Sequence, residues 1–221
     1  MPRMKPEEFL DELDRKVGER LAHIGAAARA AEPASGVGIP ALLATALKKE
    51  LEATEEAALW LTTETDVEVK LALARQCGDE ARHYRLIADR LRALGVDPAA
   101  IPAKFGPPTP MFGYLKGLGS TVERVAAGQF TREALAKVHN QAFIDYCESQ
   151  GDAETARLYR EVIQPDEGHH HEMGRRLLTR LADTEEAQAL ARAAAMRTLE
   201  IAEELQEIAR LKMGICRAPG C

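Results

Sequence analysis

Apolar positions recur along this chain with a helical period, and no stretch alternates with the period of two that a half-buried strand needs. Residues 6–31 open at Pro6 and read as an amphipathic helix running from acidic to basic. Residues 32–38, with Pro33, Gly36 and Gly38, read as a loop. From Pro40 to about Thr63, Leu43, Leu47, Thr54, Ala57 and Leu61 fall near one line. Thr62 to Asp66 is polar and predicts a turn. A second helix spans about 67–94, stopped by Gly95 and followed by Pro98. The stretch 96–119, rich in Pro and Gly, predicts a long crossover. Ser120-Thr121-Val122-Glu123 has the form of a capping box, so a helix starts there. It is expected to break near Gly128, restart at Thr131 and end near Gln150. Gly151-Asp152 marks a turn. The following helix, about 153–181, contains Pro165, which must kink it or mark a break. Thr184 caps a last helix to about Met213, and 214–221 reads as an irregular tail. The expectation is an all-α chain: a four-helix bundle of two antiparallel hairpins with a long crossover, plus extra N- and C-terminal helices. It divides into 1–38 (helix and linker), 39–182 (bundle) and 183–221 (helix and tail).

Composition narrows this picture slightly. Of 221 residues, 46% are hydrophobic and 29% charged, the balance of a water-soluble globular chain, while aromatics at 5% favour helix over sheet. No apolar run approaches the roughly 20 residues of a membrane span. Met1 to Leu10 has no apolar h-region, so no secretory signal is expected. A net charge of −6 argues against a nucleic-acid surface. Cys77, Cys147, Cys216 and Cys221 lack the spacing of a disulfide framework, and a cytoplasmic home is the simplest reading.

The candidate chemistry lies in a repeat. Asp79-Glu80-Ala81-Arg82-His83 and Asp166-Glu167-Gly168-His169-His170 are both D-E-x-x-H. On a helix each Glu and its His share one face, which makes half of a binuclear metal site. Antiparallel helices bring residues face to face when they lie equally far from the turn. A turn centred on Thr65 pairs Glu80 with Glu50, and one at Gln150–Gly151 pairs Glu167 with Glu133. At about 1.5 Å per residue each Glu then sits roughly 22–26 Å from its turn, so both pairs share one depth. Glu52, Glu55 and Glu56 fall off the stripe or too near the turn, and Glu123 would need a turn inside a helix. Leu73, Ile87, Leu91 and Leu94 extend the first motif's stripe; Ile163, Gly174, Leu177 and Leu181 extend the second. Ionisable groups on such stripes are costly unless paired or bound to metal, so four carboxylates and two imidazoles call for two cations.

With these residues placed, the chain resembles the ferritin-like diiron-carboxylate superfamily over roughly 40–182. Within it, Lys49-Glu50-Leu51-Glu52-Ala53 and Gly151-Asp152 through His170 look most like the bacterial ferritin-like group that includes a tRNA-modifying hydroxylase. The resemblance implies two irons (manganese or a mixed pair being alternatives), O2 or peroxide chemistry, and an unknown small-molecule substrate and electron donor. It implies that Glu50, Glu80, His83, Glu133, Glu167 and His170 are the ligands and catalytic groups. It also implies that Asp79 and Asp166 each accept the ring N–H of a ligating His. Two departures stand out: Pro165 precedes Glu167 by two residues, and nothing resembles the two-CxxC rubredoxin module of rubrerythrin-type peroxidases. Six ligands with no extra Glu on the stripe fit an oxygenase or oxidase better than a ferroxidase. Iron handling or peroxide scavenging is the alternative, and a structural helical protein with a relic site the third.

The other reactive residues have plainer readings. His169 and His171 point about 100° to either side of His170 and read as outer-sphere or surface groups. His23 and His139 read as surface residues, Trp60 as core, and Arg175-Arg176 as a solvated face. Tyr84, Tyr146 and Tyr159 read as packing groups ahead of redox roles, and Cys77 as a small packing residue. Cys216 and Cys221 belong to the tail by default, with metal binding or a bridge as the sharper reading. The terminal helices have two open uses, covering the bundle or forming a homodimer interface.

Overall fold

The computed structural model describes residues 3–30, 36–101, 106–213 and 219. The expectations for Cys216 and Cys221 fall outside the described residues, as do those for most of the 32–38 loop. Among the described residues every regular element is helical: α1 (Pro6–Ala30), α2 (Ile39–Thr63), α3 (Val67–Ala93), α4 (Pro110–Lys116), α5 (Thr121–Val125), α6 (Glu133–Ser149), α7 (Ala153–Leu158), α8 (Gln164–Leu181) and α9 (Glu185–Met213). α5 runs into α6 through a π-helical segment, Ala126–Arg132, and α7 into α8 through another, Tyr159–Ile163. None of these helices is long and apolar enough to cross a membrane.

α2 and α3 pack along each other as a hairpin whose turn is fixed by two acids. The Glu64 carboxylate accepts from the backbone N–H of Thr65 (2.8 Å) and Asp66 (2.9 Å) and from the Thr121 hydroxyl. Asp66 caps α3 by accepting from Val69 N–H at 3.1 Å, and Arg180 on α8 donates to both its oxygens. The Arg180 guanidinium, ahead of the Val69 bond, holds the Asp66 carboxyl down at about 2. Asp66→Ala removes a helix cap and is expected to cost about 1 kcal/mol, seen as a lower denaturant midpoint at unchanged slope. At the far end α3 stops as predicted, with Gly95 at φ 79° in the left-handed region.

The crossover holds more structure than its prolines predict. Pro110 occupies the first turn of α4, where a missing N–H is harmless, and the Thr109 side chain caps Phe112 N–H at 3.1 Å. Glu52 on α2 accepts from the Thr109 backbone N–H (3.0 Å) and hydroxyl (2.6 Å), which ties the crossover to the first hairpin.

The predicted capping box at Ser120 and Glu123 is present. The expected break at Gly128 is not. The helix continues by widening, and Glu133 N–H reaches back five residues to Gly128 C=O. The glycine is there for space. A Cβ on Gly128 would lie 2.8 Å from the Trp60 ring. Gly174 on α8 approaches the same segment so closely that a Cβ would meet Gln129 C and Phe130 N at 2.7 Å. Pro165 causes no break either. The turn widens just before it, and Gln164 N–H bonds Tyr159 C=O, so the missing donor falls where the ladder is already shifted.

Two apolar clusters fill the interior. One joins α1 and α9 to Trp60, Leu73, Phe130, Leu177 and Leu178. The other contains Leu43, Leu47, Ile87, Leu91, Phe143, Tyr159 and Ile163. Along each of the four runs α2, α3, α5–α6 and α7–α8, the motif glutamate lies between a residue of one cluster and a residue of the other. The terminal helices cover the second hairpin: α1 packs on α6, α8 and α9, and α9 on α5 and the Ala126–Arg132 segment. Arg175 therefore does not lie on a purely solvated face. It pairs with Asp14 (2.7 Å) and Asp11 (3.0 Å) of α1, whereas Arg176 is exposed.

Candidate metal centre

The polar layer between the clusters brings all six motif residues together. Glu50, Glu80, His83 and Glu167 form one group and Glu80, Glu133, Glu167 and His170 a second, with ligand atoms within 4.8 Å of one another in each. Glu80 and Glu167 belong to both groups, so one carboxylate of each D-E-x-x-H motif is shared between the two groups that could hold a metal ion. All six residues are 0% exposed. The spacing accounts for this: Glu and His one turn apart on α3 and α8 face the lone glutamates on α2 and α6.

The two imidazoles are aimed by the aspartates, and the pairing is crossed. His83 Nε2 lies 3.1 Å from Asp166 Oδ2, and His170 Nε2 lies 3.1 Å from Asp79 Oδ2. A carboxylate only accepts, so each Nε2 carries the proton and each Nδ1 presents its lone pair to the site once the ring is neutral. His83 Nδ1 is 3.2 Å from Glu80 and 3.4 Å from Glu50; His170 Nδ1 is 3.4 Å from Glu80 and 3.6 Å from Glu167. Arg75 touches Asp79 and Arg82 touches Asp166, both at 3.3 Å. Each motif thus positions the histidine of the other and locks α3 to α8. Asp79→Asn or Asp166→Asn is expected to weaken cation binding about 10–100-fold, measured by equilibrium dialysis of the metal-free protein.

The donor set fits a pair of hard-to-borderline divalent cations. Neither oxygen of Glu50 has a hydrogen-bond partner although the side chain is fully buried, and His170 Nδ1 also has none. Burial, eased by His83, pushes the Glu50 carboxyl up to about 7. Burial and the Glu133 and Glu80 charges raise Glu167 well above the usual range. Burial alone would discharge His83, but Glu50 and Glu80 outweigh it and hold the imidazolium up to about 12. Burial would also raise Glu133; Arg132 and His170 outweigh it and lower its pKa. Protons thus stand where cations would neutralise the same charge.

The signs give a pH prediction. Glu50, Glu167 and His83 bind protons more tightly folded than unfolded, so their contribution is full at low pH. It is lost between pH 4.5 and about 7 for Glu50, and between pH 6.5 and about 12 for His83. Glu133 acts oppositely, its contribution being lost on acidification below pH 4.5. The metal-free protein is expected to melt at progressively lower temperature from pH 6 to 9. Added Mn(II) should reverse the trend and release protons, measurable by scanning calorimetry in buffers of different ionisation heat.

Around Glu133 lies a buried network that the stripe argument overlooks. Arg132 donates to Glu56 Oε2 (2.6 Å) and to Glu133 Oε1 (3.0 Å). Gln76 donates to the same Glu133 oxygen at 2.7 Å, and Gln129 donates to Gln76 at 2.8 Å. Glu56 belongs to neither ligand group, yet it is only 2% exposed and Arg132 5%, so both charges of this pair are buried beside the site. The wide turn at Ala126–Arg132 rotates Arg132 inward, which a regular 3.6-residue period does not anticipate. His139 is likewise buried, with burial and then Lys49 pulling its pKa down to about 3. α6 has neighbours on several sides, so a residue outside the ligand stripe is also covered. His171 donates from Nδ1 to Phe130 C=O at 2.7 Å within the π segment, an outer support of the site. Tyr159 packs edge-on against Phe143, Tyr146 bonds Val37 C=O, and Cys77 is partly buried near Thr54 C=O. No protein-family model, no curated protein and no solved structure matches the chain.

Proposed function

We propose that this protein is a ferritin-like non-haem diiron oxidoreductase that uses O2 or peroxide to oxidise a small organic substrate. The observation that carries the reading is the pair of buried Glu/His groups sharing Glu80 and Glu167. The paired hairpins with one glutamate on α2 and α6 and one D-E-x-x-H on α3 and α8 support the ferritin-like assignment. A bound iron pair would supply the electrons and the Lewis acidity for oxidant reduction. The chain's own residues set its conditions. Glu80 and Glu167 would serve both cations, Glu50 and Glu133 would complete one position each, and His83 and His170 would supply one neutral nitrogen each. Asp79 and Asp166 keep the imidazole protons at Nε2, and the apolar clusters on both sides keep bulk water out.

Elemental analysis of the purified protein, with optical spectra of the reduced form before and after O2, tests this reading. Two irons per chain and an O2-dependent absorption change are expected. Absence of both bound metal and any spectral response would overturn it. Glu56 favours a second reading, iron handling or peroxide scavenging. It is a further buried carboxylate near the ligands, held there by Arg132 at 2.6 Å. Multiple-turnover iron uptake beyond two per chain would support that reading.

A further inference from the structure

We infer that Arg132 makes the two cation positions unequal, so that the Glu50/His83 position fills first and the Glu133/His170 position second and more weakly. This rests on the metal-centre reading above. The six ligands alone have near two-fold symmetry, one glutamate and one Glu/His motif on each side. What surrounds the two lone glutamates breaks that symmetry. Glu50 is fully buried and neither oxygen has a hydrogen-bond partner; its cationic neighbour is His83, 3.4 Å away, so an incoming metal ion displaces a proton there rather than competing with a fixed guanidinium. Glu133 has Oε1 engaged by the Arg132 guanidinium at 3.0 Å and the Gln76 amide at 2.7 Å. Its other oxygen, Oε2, lies 3.7 Å from His170 Nδ1. A cation at the second position thus gains less from a carboxylate already neutralised, and it is repelled by a buried guanidinium one residue removed in sequence from its ligand.

Glu56 makes the device stable. It accepts from Arg132 Nη1 at 2.6 Å while Nη2 donates to Glu133, so the guanidinium is held in place by one carboxylate while acting on another. The wide turn at Ala126–Arg132 is what puts Arg132 inside, and Gly128 leaves room for the Trp60 ring beside it. A centre graded in this way loads in a fixed order and keeps its first cation while the second exchanges.

Anaerobic titration of the full-length metal-free protein with Mn(II), followed by calorimetry and by electron paramagnetic resonance, tests the inference. The wild type should show two classes differing at least about tenfold in affinity. At one equivalent the signal should be that of isolated ions, with coupling appearing only on addition of the second. Glu50→Gln should remove the tight class and Glu133→Gln the weak one. Glu56→Gln with Arg132→Gln, which removes the guanidinium together with its Glu56 partner and leaves the Glu133 charge to the cation, should tighten the second class about tenfold and leave the first within about twofold. Two equal classes in the wild type, or an unchanged gap in the double variant, would overturn the inference and leave the metal centre standing. A wild type that binds no Mn(II) would overturn both. The single-ligand variants assign the order even if the double variant fails to fold.

Discussion

Glu80→Gln and Glu167→Gln are each expected to abolish stable binding of both cations, whereas Glu50→Gln and Glu133→Gln should each lose one. The difference follows from position. Glu80 and Glu167 belong to both ligand groups, and Glu50 and Glu133 to one each. Replacing a shared carboxylate removes a charge and a donor from both sites at once. The loss should exceed the about 10–100-fold that removal of an outer partner costs. Gln keeps the shape, so the fold is expected to survive. The metal-free Glu80→Gln protein should melt no lower than the metal-free wild type, because fewer like charges then crowd the dry layer. Dialysis against Mn(II) with calorimetry of the same samples checks both halves. Retention of two tightly bound cations by Glu80→Gln would show that the shared position is wrong.

Among the described glycines, Gly174→Ala should be the most damaging change. A Cβ there would lie 2.7 Å from backbone atoms of Gln129 and Phe130, and a backbone cannot swing aside as a side chain can. α8 would have to move away from the π segment. That segment carries Arg132 and leads directly into Glu133, and α8 carries Glu167 and His170. Overpacking of this kind costs about 1–3 kcal/mol, which for a chain of this size lowers Tm by roughly 3–10 °C. Affinity for the second cation should fall as well, since α6 and α8 contribute Glu133 and His170 to it. Gly78→Ala on exposed α3, where a Cβ meets nothing within 4 Å, is the control and should be neutral or stabilising. Equal melting of Gly174→Ala and wild type would contradict the close packing.

Much of this was legible in the sequence because helices and their ligands obey a period. The repeated D-E-x-x-H and the equal distances from two turns locate Glu50, Glu80, Glu133 and Glu167 without coordinates, and they meet in one layer. Cap chemistry at Ser120, Gly95 and Thr184 places helix ends correctly. The same period misleads where the helix leaves it. Gly128 and Pro165 signal interruption, yet both helices continue through wide turns, and those turns move Arg132 inward. Glu56 is invisible for a related reason: its burial depends on an arginine 76 residues away rather than on its own stripe. The crossed pairing of Asp79 with His170 and Asp166 with His83 requires knowing how α3 and α8 face each other, which no local pattern contains. α4 is missed because three prolines in a row of turn formers look like a loop, although Pro at the first turn suits a helix.

Anomalous diffraction from crystals grown with Mn(II) tests the central claim most directly. The account predicts two peaks about 3.5–4 Å apart, one against Glu50 and His83 and the other against Glu133 and His170, with Glu80 and Glu167 between them. A single peak, or none among these six side chains at saturating Mn(II), would contradict it.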